Sequence, residues 1–145
     1  MLTEEQLAAA LGEAGVRVTR QRSMIYSTLA RMVSHPTADE LLDAVHAEDT
    51  RVSLATVYNT LDTLSELGLI QRIAPEGLGS ACRFDASTAP HVHMVMADGR
   101  VCDVPDDLSS EILGSIPPVL LEQLAERMGV QVNGIKIDLA CSSDA

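Results

Sequence analysis

Aromatic residues are scarce in this chain of 145 residues, which contains two Tyr, one Phe and no Trp. Its core must be built from aliphatic side chains and Met, and readers of single strands that stack bases on aromatic rings are disfavoured. Long apolar runs are missing as well, and the first residues lack the basic start of a signal peptide. Because the hydrophobic fraction of 46% is typical of a globular domain, we expect a folded cytoplasmic protein with no membrane partner.

Paired cysteines and positive charge are also in short supply. Cys82, Cys102 and Cys141 form no C-x-x-C pair, which argues against a disulfide scaffold and a cysteine-rich zinc knuckle. The formal net charge of −11 opposes generic nucleic-acid binding, because affinity for phosphate usually comes from many Lys and Arg. Residues 1–74 carry six Arg against ten acidic residues, whereas residues 75–145 carry four basic and eleven acidic residues. The excess of acidic over basic residues is therefore smaller in the first half, where a specific DNA contact is less strongly opposed by charge.

Helix signals dominate the first half of the chain. Capping boxes begin at Thr3 and Thr37, and Ser53 can cap a further helix. The predicted helices begin at Thr3 and end near Gly12 or Gly15, then span residues 20–32, 37–48 and 53–67, with Gly68 as the last stop. Strand-like segments 69–73 and 81–84 flank a turn-rich stretch at 75–79. Helices followed by a hairpin predict a winged helix-turn-helix.

The second half alternates strand and helix signals. Strands are predicted at 92–95, 100–104 and within 131–140, with helices at 106–114 and 118–128. A unit this small is poorly stable alone, so we expect it to dimerise. The predicted fold class is α+β, an N-terminal winged helix-turn-helix followed by a small C-terminal α/β dimerisation domain.

Residues 53–67 are the candidate recognition helix. Leu54, Val57, Tyr58, Leu61 and Leu64 are predicted to form its apolar stripe, with Thr60 on the opposite, polar face. The polar face of an ordinary helical bundle explains this pattern equally well. Arg72 and Arg83 are expected on the wing. The residues predicted to contact DNA are Arg17, Arg20, Arg22, Arg51, Ser53, Ala55, Thr56, Tyr58 and Asn59.

A possible metal-binding pattern follows the hairpin. His91 and His93 would present both imidazoles on one side of an extended segment. Asp85 precedes them, Asp103 follows them, and His35 stands far upstream. Each residue alone has an ordinary explanation as a turn, cap or surface residue. The pattern indicates a metal site only if the residues act together.

Five short motifs carry a specific resemblance to a known family. They are His35-Pro36-Thr37-Ala38-Asp39-Glu40, Val52-Ser53-Leu54-Ala55-Thr56-Val57-Tyr58-Asn59, Leu67-Gly68-Leu69-Ile70, Arg83-Phe84-Asp85 and His91-Val92-His93. In these motifs the chain resembles the ferric uptake regulator (Fur) family, and within it the peroxide-sensing PerR branch. Asn59 follows the Tyr of the recognition helix as in PerR-like members, where Fur-like members tend to carry Arg. The similarity covers roughly residues 10–104 and fades afterwards.

The resemblance implies a repressor that is metal-dependent, sequence-specific and homodimeric, binds double-stranded operator DNA, and is not an enzyme. It implies a DNA-binding domain at 1–84, a hinge carrying metal ligands at 85–93 and a dimerisation domain at 94–145. Fe(II) or Mn(II), with zinc as a surrogate, would be the cofactor, and no small organic ligand is implied. The ligands carried over from the family are His35, Asp85, His91, His93 and Asp103.

The chain departs from the family at the structural zinc. Family members usually hold that ion with two C-x-x-C pairs. Here the first pair falls on Met96 and a deletion before Gly99, and the second retains only Cys141, with Asp144 in the last place. One thiolate cannot build a four-sulfur site, so we expect no structural zinc and a dimer that rests on apolar packing. All three cysteines are expected to be small buried hydrophobic residues rather than redox switches.

The resemblance also implies how the protein senses its signal. Imidazole and carboxylate ligands without sulfur suit Fe(II) and Mn(II). Because His35 belongs to the DNA-binding half and the other ligands lie at or beyond the hinge, one ion would fix two bodies in a single orientation. Peroxide acting on the iron form would oxidise His35 or His91 and release the operator, whereas the manganese form would resist.

Three alternatives stay open on the sequence. A Fur-like or manganese-responsive regulator would share the fold and the site but answer to metal concentration alone. A metallohydrolase using His91, His93 and Asp103 is disfavoured, because no further carboxylate or His is placed as an obvious general base. The third alternative is a metal-free winged-helix protein that binds other partners.

Overall fold

The computed structural model describes residues 1–73 and 81–142 and divides the chain into two units, Met1–Thr88 and Ala89–Ala145. Helices and small sheets occur in both units, which confirms the predicted α+β class. The turn predicted at 75–79 lies outside the described residues. Within the described part of the chain, no helix is long and apolar enough to cross a bilayer.

Four helices form most of the first unit, and a side-chain cap sets where each of them begins. Thr3 and Thr37 both form complete capping boxes, and the Ser53 hydroxyl accepts a hydrogen bond from the Thr56 amide. The second helix is capped by Thr19. The helices are α1 (Glu4–Glu13), α2 (Arg20–Arg31), α3 (Ala38–His46) and α4 (Leu54–Glu66). These bounds agree with the predicted helices to within two residues at each end.

The wing is a two-stranded antiparallel sheet of β1 (Gln71–Ile73) and β2 (Arg83–Asp85). Arg72 pairs with Phe84 at the centre of the register. Both strands are shorter than predicted, and β2 ends one residue later than the sequence pattern indicated. That extra residue is Asp85, which is therefore held by the sheet.

The core of the first unit is aliphatic, as the scarcity of aromatic residues requires. The aromatic residues buried in it are Tyr26 and Phe84. The Tyr26 hydroxyl accepts a hydrogen bond of 2.8 Å from the Leu2 amide, which satisfies its polar end. Leu7, Leu11, Ile25, Leu29, Leu41, Val45, Val57, Leu61 and Leu64 supply most of the remaining buried surface.

Two residues of α4 were assigned to the wrong faces by the sequence pattern. Thr60, expected on the polar face, is buried with 2% exposure, and Tyr58, expected in the apolar stripe, is 44% exposed. Successive helical residues are about 100° apart, so a buried stripe through Val57 passes through Thr60 and Leu61 and leaves Tyr58 outside. Tyr58 is thus available at the surface where the predicted DNA contacts lie.

The second unit is a three-stranded sheet with two helices. Its strands are β3 (Val92–Val95), β4 (Val101–Asp103) and β5 (Ile137–Ala140), and its helices are α5 (Asp106–Gly114) and α6 (Pro118–Met128). The strand order is β4-β3-β5, with β3 antiparallel to β4 and parallel to β5. The helices match the prediction, but β5 occupies only the end of the segment predicted as a strand. His93 lies on the central strand.

Helix α6 buries none of its residues within the chain. Four of its apolar side chains are exposed by about half or more, whereas Leu121 is half-buried. Leu108 on α5 and Val130 just after α6 are exposed to a similar degree. The four residues of α6 are Val119, Leu120, Leu124 and Met128. A concentration of exposed apolar side chains of this kind is typical of an interaction surface.

Candidate metal centre and nucleic-acid interface

His35 lies in the loop before α3 and is the one non-glycine residue of the described chain with positive φ, at 45°. Positive φ is uncommon for residues other than glycine, although Asn, Asp and His adopt it more often than the rest, and such residues concentrate at functional sites. The residue is 3% exposed. A buried imidazole is therefore held on a backbone conformation that the surrounding structure must stabilise.

Strand β2, far along the chain, holds the His35 loop in place through hydrogen bonds. The Phe84 amide donates a 3.0 Å hydrogen bond to the Pro36 carbonyl, and Thr37 forms a bridge with Arg83. The Arg83 guanidinium donates a 3.0 Å hydrogen bond to the His35 carbonyl. These contacts bring the strand, with its last residue Asp85, alongside the His35 loop.

Asp85 is the second candidate ligand of the first unit. Its Oδ1 lies 3.7 Å from His35 Nδ1, and the carboxylate is 6% exposed. The Ser87 amide donates a 2.7 Å hydrogen bond to the same oxygen, which fixes the rotamer. Two residues that are distant in sequence thus place an imidazole and a carboxylate together.

Arg83 lies on the wing strand β2, as expected, but it is not free to contact DNA. Its side chain is 12% exposed and bonds both the His35 carbonyl and Glu40, the latter at 3.0 Å. Its charge is therefore used to hold the loop before α3. The other wing arginine, Arg72, is paired with Asp62 and lies over the Phe84 ring.

The second unit brings three candidate ligands together on adjacent strands. His93 on β3 faces Asp103 on β4 in the antiparallel register, and His91 lies just before β3. Asp103 Oδ1 lies 3.1 Å from His91 Nε2 and 3.7 Å from His93 Nε2. The two imidazole centroids are 4.4 Å apart. All three side chains can therefore turn a donor atom toward one point.

Both imidazoles of the second unit have their Nδ1 atoms engaged by oxygen. His91 Nδ1 lies 2.7 Å from the Ala89 carbonyl, and His93 Nδ1 lies 3.1 Å from Asp138 Oδ1. Because a carboxylate only accepts, Nδ1 is the donor in His93 and the lone pair of the neutral ring lies on Nε2. His91 has an acceptor oxygen near each ring nitrogen, so these contacts do not select one tautomer for it. Sequence reasoning missed Asp138, whose only signal was its position between Ile137 and Leu139 in a predicted strand.

The donor sets of the two units fit a divalent metal ion. The first unit offers one imidazole and one carboxylate, and the second offers two imidazoles and one carboxylate, none with sulfur beside it. This chemistry suits Mn(II) and Fe(II), and zinc also accepts it. Each set is partly buried, and one ligand in each set, Asp85 or His91, has a hydrogen bond to the backbone. Such contacts orient ligands before an ion binds.

The start of α4 presents the predicted DNA-reading surface. Ser53, Ala55, Tyr58 and Asn59 are exposed there, and Thr56 is half-buried with its hydroxyl 2.9 Å from that of Ser53. Small and amide side chains at a helix N-terminus can approach base edges closely. Apart from Tyr58 and Thr60, the polar face is the one that the sequence predicted.

The predicted arginines of this surface differ in how they are engaged. Arg51 forms a bidentate pair with Asp49, with both N···O distances at 2.9 Å. These hydrogen bonds lower the pKa of Asp49 to about 2, with a smaller contribution from the charge of Arg20. The Arg22 guanidinium donates a 2.6 Å hydrogen bond to the Arg17 carbonyl. Arg17 and Arg20 are exposed.

The expectation for the cysteines was wrong. They form no disulfide, but Cys102 is exposed and the other two are only half-buried. Cys102 alternates with buried Val101 on the edge strand β4, so it faces outward. Cys141 Sγ lies 3.4 Å from Met96 Sδ, which gives Met96 a contact that the sequence did not suggest.

His46, also without a predicted role, places Nε2 2.7 Å from the Val52 carbonyl in the helix-turn-helix.

The fold defines a winged helix-turn-helix protein with an α/β unit whose imidazole and carboxylate side chains could hold a metal ion. The chain matches the model of the ferric uptake regulator family over residues 13–133. The peroxide-responsive repressor PerR of Staphylococcus aureus (strain USA300) is 35% identical over 100 residues, which cover 68% of this chain and 66% of the repressor. That match spans slightly less than two thirds of the repressor's own length.

Solved structures support the same relationship. The ferric uptake regulator of Pseudomonas aeruginosa, solved with manganese, superposes with a TM-score of 0.71 at 25% identity, over 99% of this chain and 100% of that one. The Campylobacter jejuni peroxide stress regulator gives a TM-score of 0.66 at 25% identity, over 100% and 98% of the two chains. The chain therefore belongs to the ferric uptake regulator family, and its likeness to PerR supports the expected branch.

Proposed function

We propose that this protein is a metal-dependent transcriptional repressor that binds double-stranded operator DNA as a cytoplasmic homodimer. The observation that carries the proposal is the presence of imidazole and carboxylate pairs in both units of a winged-helix chain. Its family consists of transcriptional regulators, so it is a regulator and not an enzyme, and the metallohydrolase interpretation is set aside. Residues 1–84 would bind DNA, 85–93 act as a hinge and 94–145 form the dimer.

One divalent ion, Fe(II) or Mn(II), would take its ligands from both units. The proposed ligands are His35, Asp85, His91, His93 and Asp103. Support comes from the ligand pairs ordered within each unit and from the family to which the chain belongs. Zinc could occupy the same ligands as a surrogate, since divalent affinities generally favour it over iron and manganese.

The ion would act as an allosteric effector. Ligands on two bodies bind it together in one orientation only, so it favours that orientation by its differential affinity. In a dimer the favoured state would separate the recognition helices by one turn of B-DNA, about 34 Å. A shift from ~1% to ~99% of this state needs about 5.5 kcal/mol of differential binding. Loss of a single ligand could remove much of this differential binding free energy.

The signal, in our proposal, is hydrogen peroxide. Bound Fe(II) would supply the one-electron chemistry that activates peroxide. His35 and His91 are the side chains that would gain an oxygen atom, and an oxidised imidazole is a poorer ligand. The operator would then be released. The identity to peroxide-responsive repressors and the presence of Asn59 support this assignment.

A second candidate is a Fur-like or manganese-responsive regulator that answers to metal concentration without peroxide sensing. The likeness to a ferric uptake regulator solved with manganese favours it. Both candidates use the same fold and ligands, so the reaction with peroxide separates them.

The dimer would lack the structural zinc. Cys141 contacts Met96 instead of a second thiolate, and one thiolate cannot complete a four-sulfur site. The exposed apolar side chains of α6 would supply the packing that replaces the ion. Stoichiometric zinc bound through cysteine would contradict this part of the proposal.

The experiment compares operator binding by the iron and manganese forms before and after mild peroxide treatment. The operator is first selected from a random duplex pool, and salt is held constant because affinity depends on it. We expect both metals to restore binding to chelated protein, and peroxide to abolish it in the iron form alone, with one oxygen added to the His35 or His91 peptide. Full retention of binding without oxidised histidine would leave the metal-responsive alternative. Binding independent of any metal would overturn both.

A further inference from the structure

His93 lies between two carboxylates on the three-stranded sheet. It sits on the central strand β3, where its partner in β4 is Asp103 and its partner in β5 is Asp138. In-register partners place their side chains on the same face of a sheet, so both carboxylates flank the imidazole. The side chain of His93 is fully buried. Its orientation is therefore set by protein contacts and not by solvent.

The distances assign different roles to the two carboxylates. Asp138 Oδ1 is 3.1 Å from Nδ1, which is hydrogen-bond distance, whereas Asp103 Oδ1 is 3.7 Å from Nε2. The ammonium group of Lys136 lies 3.8 Å from Asp138 Oδ2. Asp138 thus contacts the ring atom on the side away from the other candidate ligands of this unit.

A carboxylate at Nδ1 prepares the ring for a metal at Nε2. Because the carboxylate accepts the Nδ1 proton, the neutral ring keeps its lone pair on Nε2. The same hydrogen bond fixes the ring plane and increases the basicity of Nε2. Partners of this kind contribute to metal affinity without touching the ion.

We propose that Asp138 is a positioning residue that holds His93 as the Nδ1-protonated tautomer and directs Nε2 toward the metal. The proposal rests on the proposed function for the metal itself, but the tautomer is a property of the protein before any ion binds. Asp138 belongs to β5, so the last strand of the chain contributes to the site although it supplies no ligand.

The first test reads the tautomer in metal-free protein by 15N NMR of the histidine ring. In the wild type we expect His93 to carry its proton on Nδ1. Asp138→Asn retains an acceptor oxygen and should keep this tautomer, whereas Asp138→Ala should lose the preference. Asp98→Asn, which changes the charge of an exposed acid in the same unit, is the control and should match the wild type. An unchanged tautomer in Asp138→Ala would overturn the proposal.

The second test measures Mn(II) affinity of the same four proteins. Asp138→Ala should bind Mn(II) about 10- to 100-fold more weakly, and Asp138→Asn should recover part of the loss. Affinity within twofold of the wild type in Asp138→Ala would contradict a positioning role. If the wild type itself binds no Mn(II), the proposed function fails, while the NMR comparison still decides whether Asp138 orients His93.

Discussion

At His35 the backbone adopts a conformation that costs a non-glycine residue on the order of 1–3 kcal/mol. The hydrogen bonds from Arg83 and Phe84 to the loop offset that strain. The sequence showed a His before a Pro, a pattern with several ordinary explanations, because the contacts that hold it come from β2, far along the chain. Only the family resemblance singled out His35 as a ligand.

The pairing of Arg51 with an acidic residue illustrates how this chain can limit non-specific binding of its arginines to DNA phosphates. The Arg51 guanidinium is 79% exposed but shares its charge with Asp49, whose low pKa keeps the carboxylate ionised at neutral pH. Other arginines of the first unit are paired in the same way. These pairs are Arg31 with Glu48, Arg72 with Asp62 and Arg83 with Glu40. Adhesion to arbitrary phosphates is thereby reduced.

Removal of the Asp49 charge should therefore strengthen non-specific DNA binding. Asn at this position keeps an acceptor for the Arg51 amide, so the turn is preserved while the guanidinium is released. In Asp49→Asn we expect the slope of log affinity against log salt on a random duplex to steepen by about 0.9, the value for one additional phosphate contact. Fluorescence anisotropy over a salt series measures the slope.

The matched control is Asp98→Asn, an equal charge change in the second unit. If the two variants show the same slope, net charge and not the position of Arg51 governs the effect, and Arg51 loses its assigned role at the DNA.

At the level of helices and strands, local signals predicted most of the fold. The capping boxes at Thr3 and Thr37 act within four residues, so they can be read directly from the sequence. The end of α4 is equally local: Gly68 has φ of 67°, and the Leu69 amide donates to the Leu64 carbonyl at 2.9 Å. The burial of Thr60 follows from the same local periodicity, through a stripe that the pattern placed one residue off. Tertiary packing decided the rest, such as the short β5.

Two glycine substitutions should change stability in opposite directions. Gly68→Ala forces an L side chain into the left-handed region and should lower the free energy of unfolding by about 1 kcal/mol. Gly12 lies inside α1 with open space around its Cα, so Gly12→Ala should raise it by roughly 0.5–1 kcal/mol. Urea denaturation of the chelated protein measures both. If both substitutions change the free energy of unfolding in the same direction by the same amount, Gly68 is not needed to end α4.

For the molecule as a whole, the proposed function requires that the two units act together. Hydrophobic periodicity predicted the helices and strands of each unit. It carried no information on a shared ion, because ligands from separate helices and strands come together only in the tertiary structure. Within each unit the register explains the grouping: β2 carries Asp85 to the His35 loop, and β3 and β4 pair His93 with Asp103. The contribution of β5 through Asp138 had no sequence signal strong enough to predict it.

In the proposed mechanism, one ion binds residues of both units and thereby controls DNA binding. The measurement is Mn(II)-dependent operator affinity of the wild type beside His35→Ala, at a recorded salt concentration, with Asp98→Asn as the control outside the proposed site. We expect a steep Mn(II) requirement in the wild type and the control, and its loss in His35→Ala, which should bind the operator weakly at every Mn(II) concentration. An unchanged Mn(II) response in His35→Ala would contradict control by a shared ion.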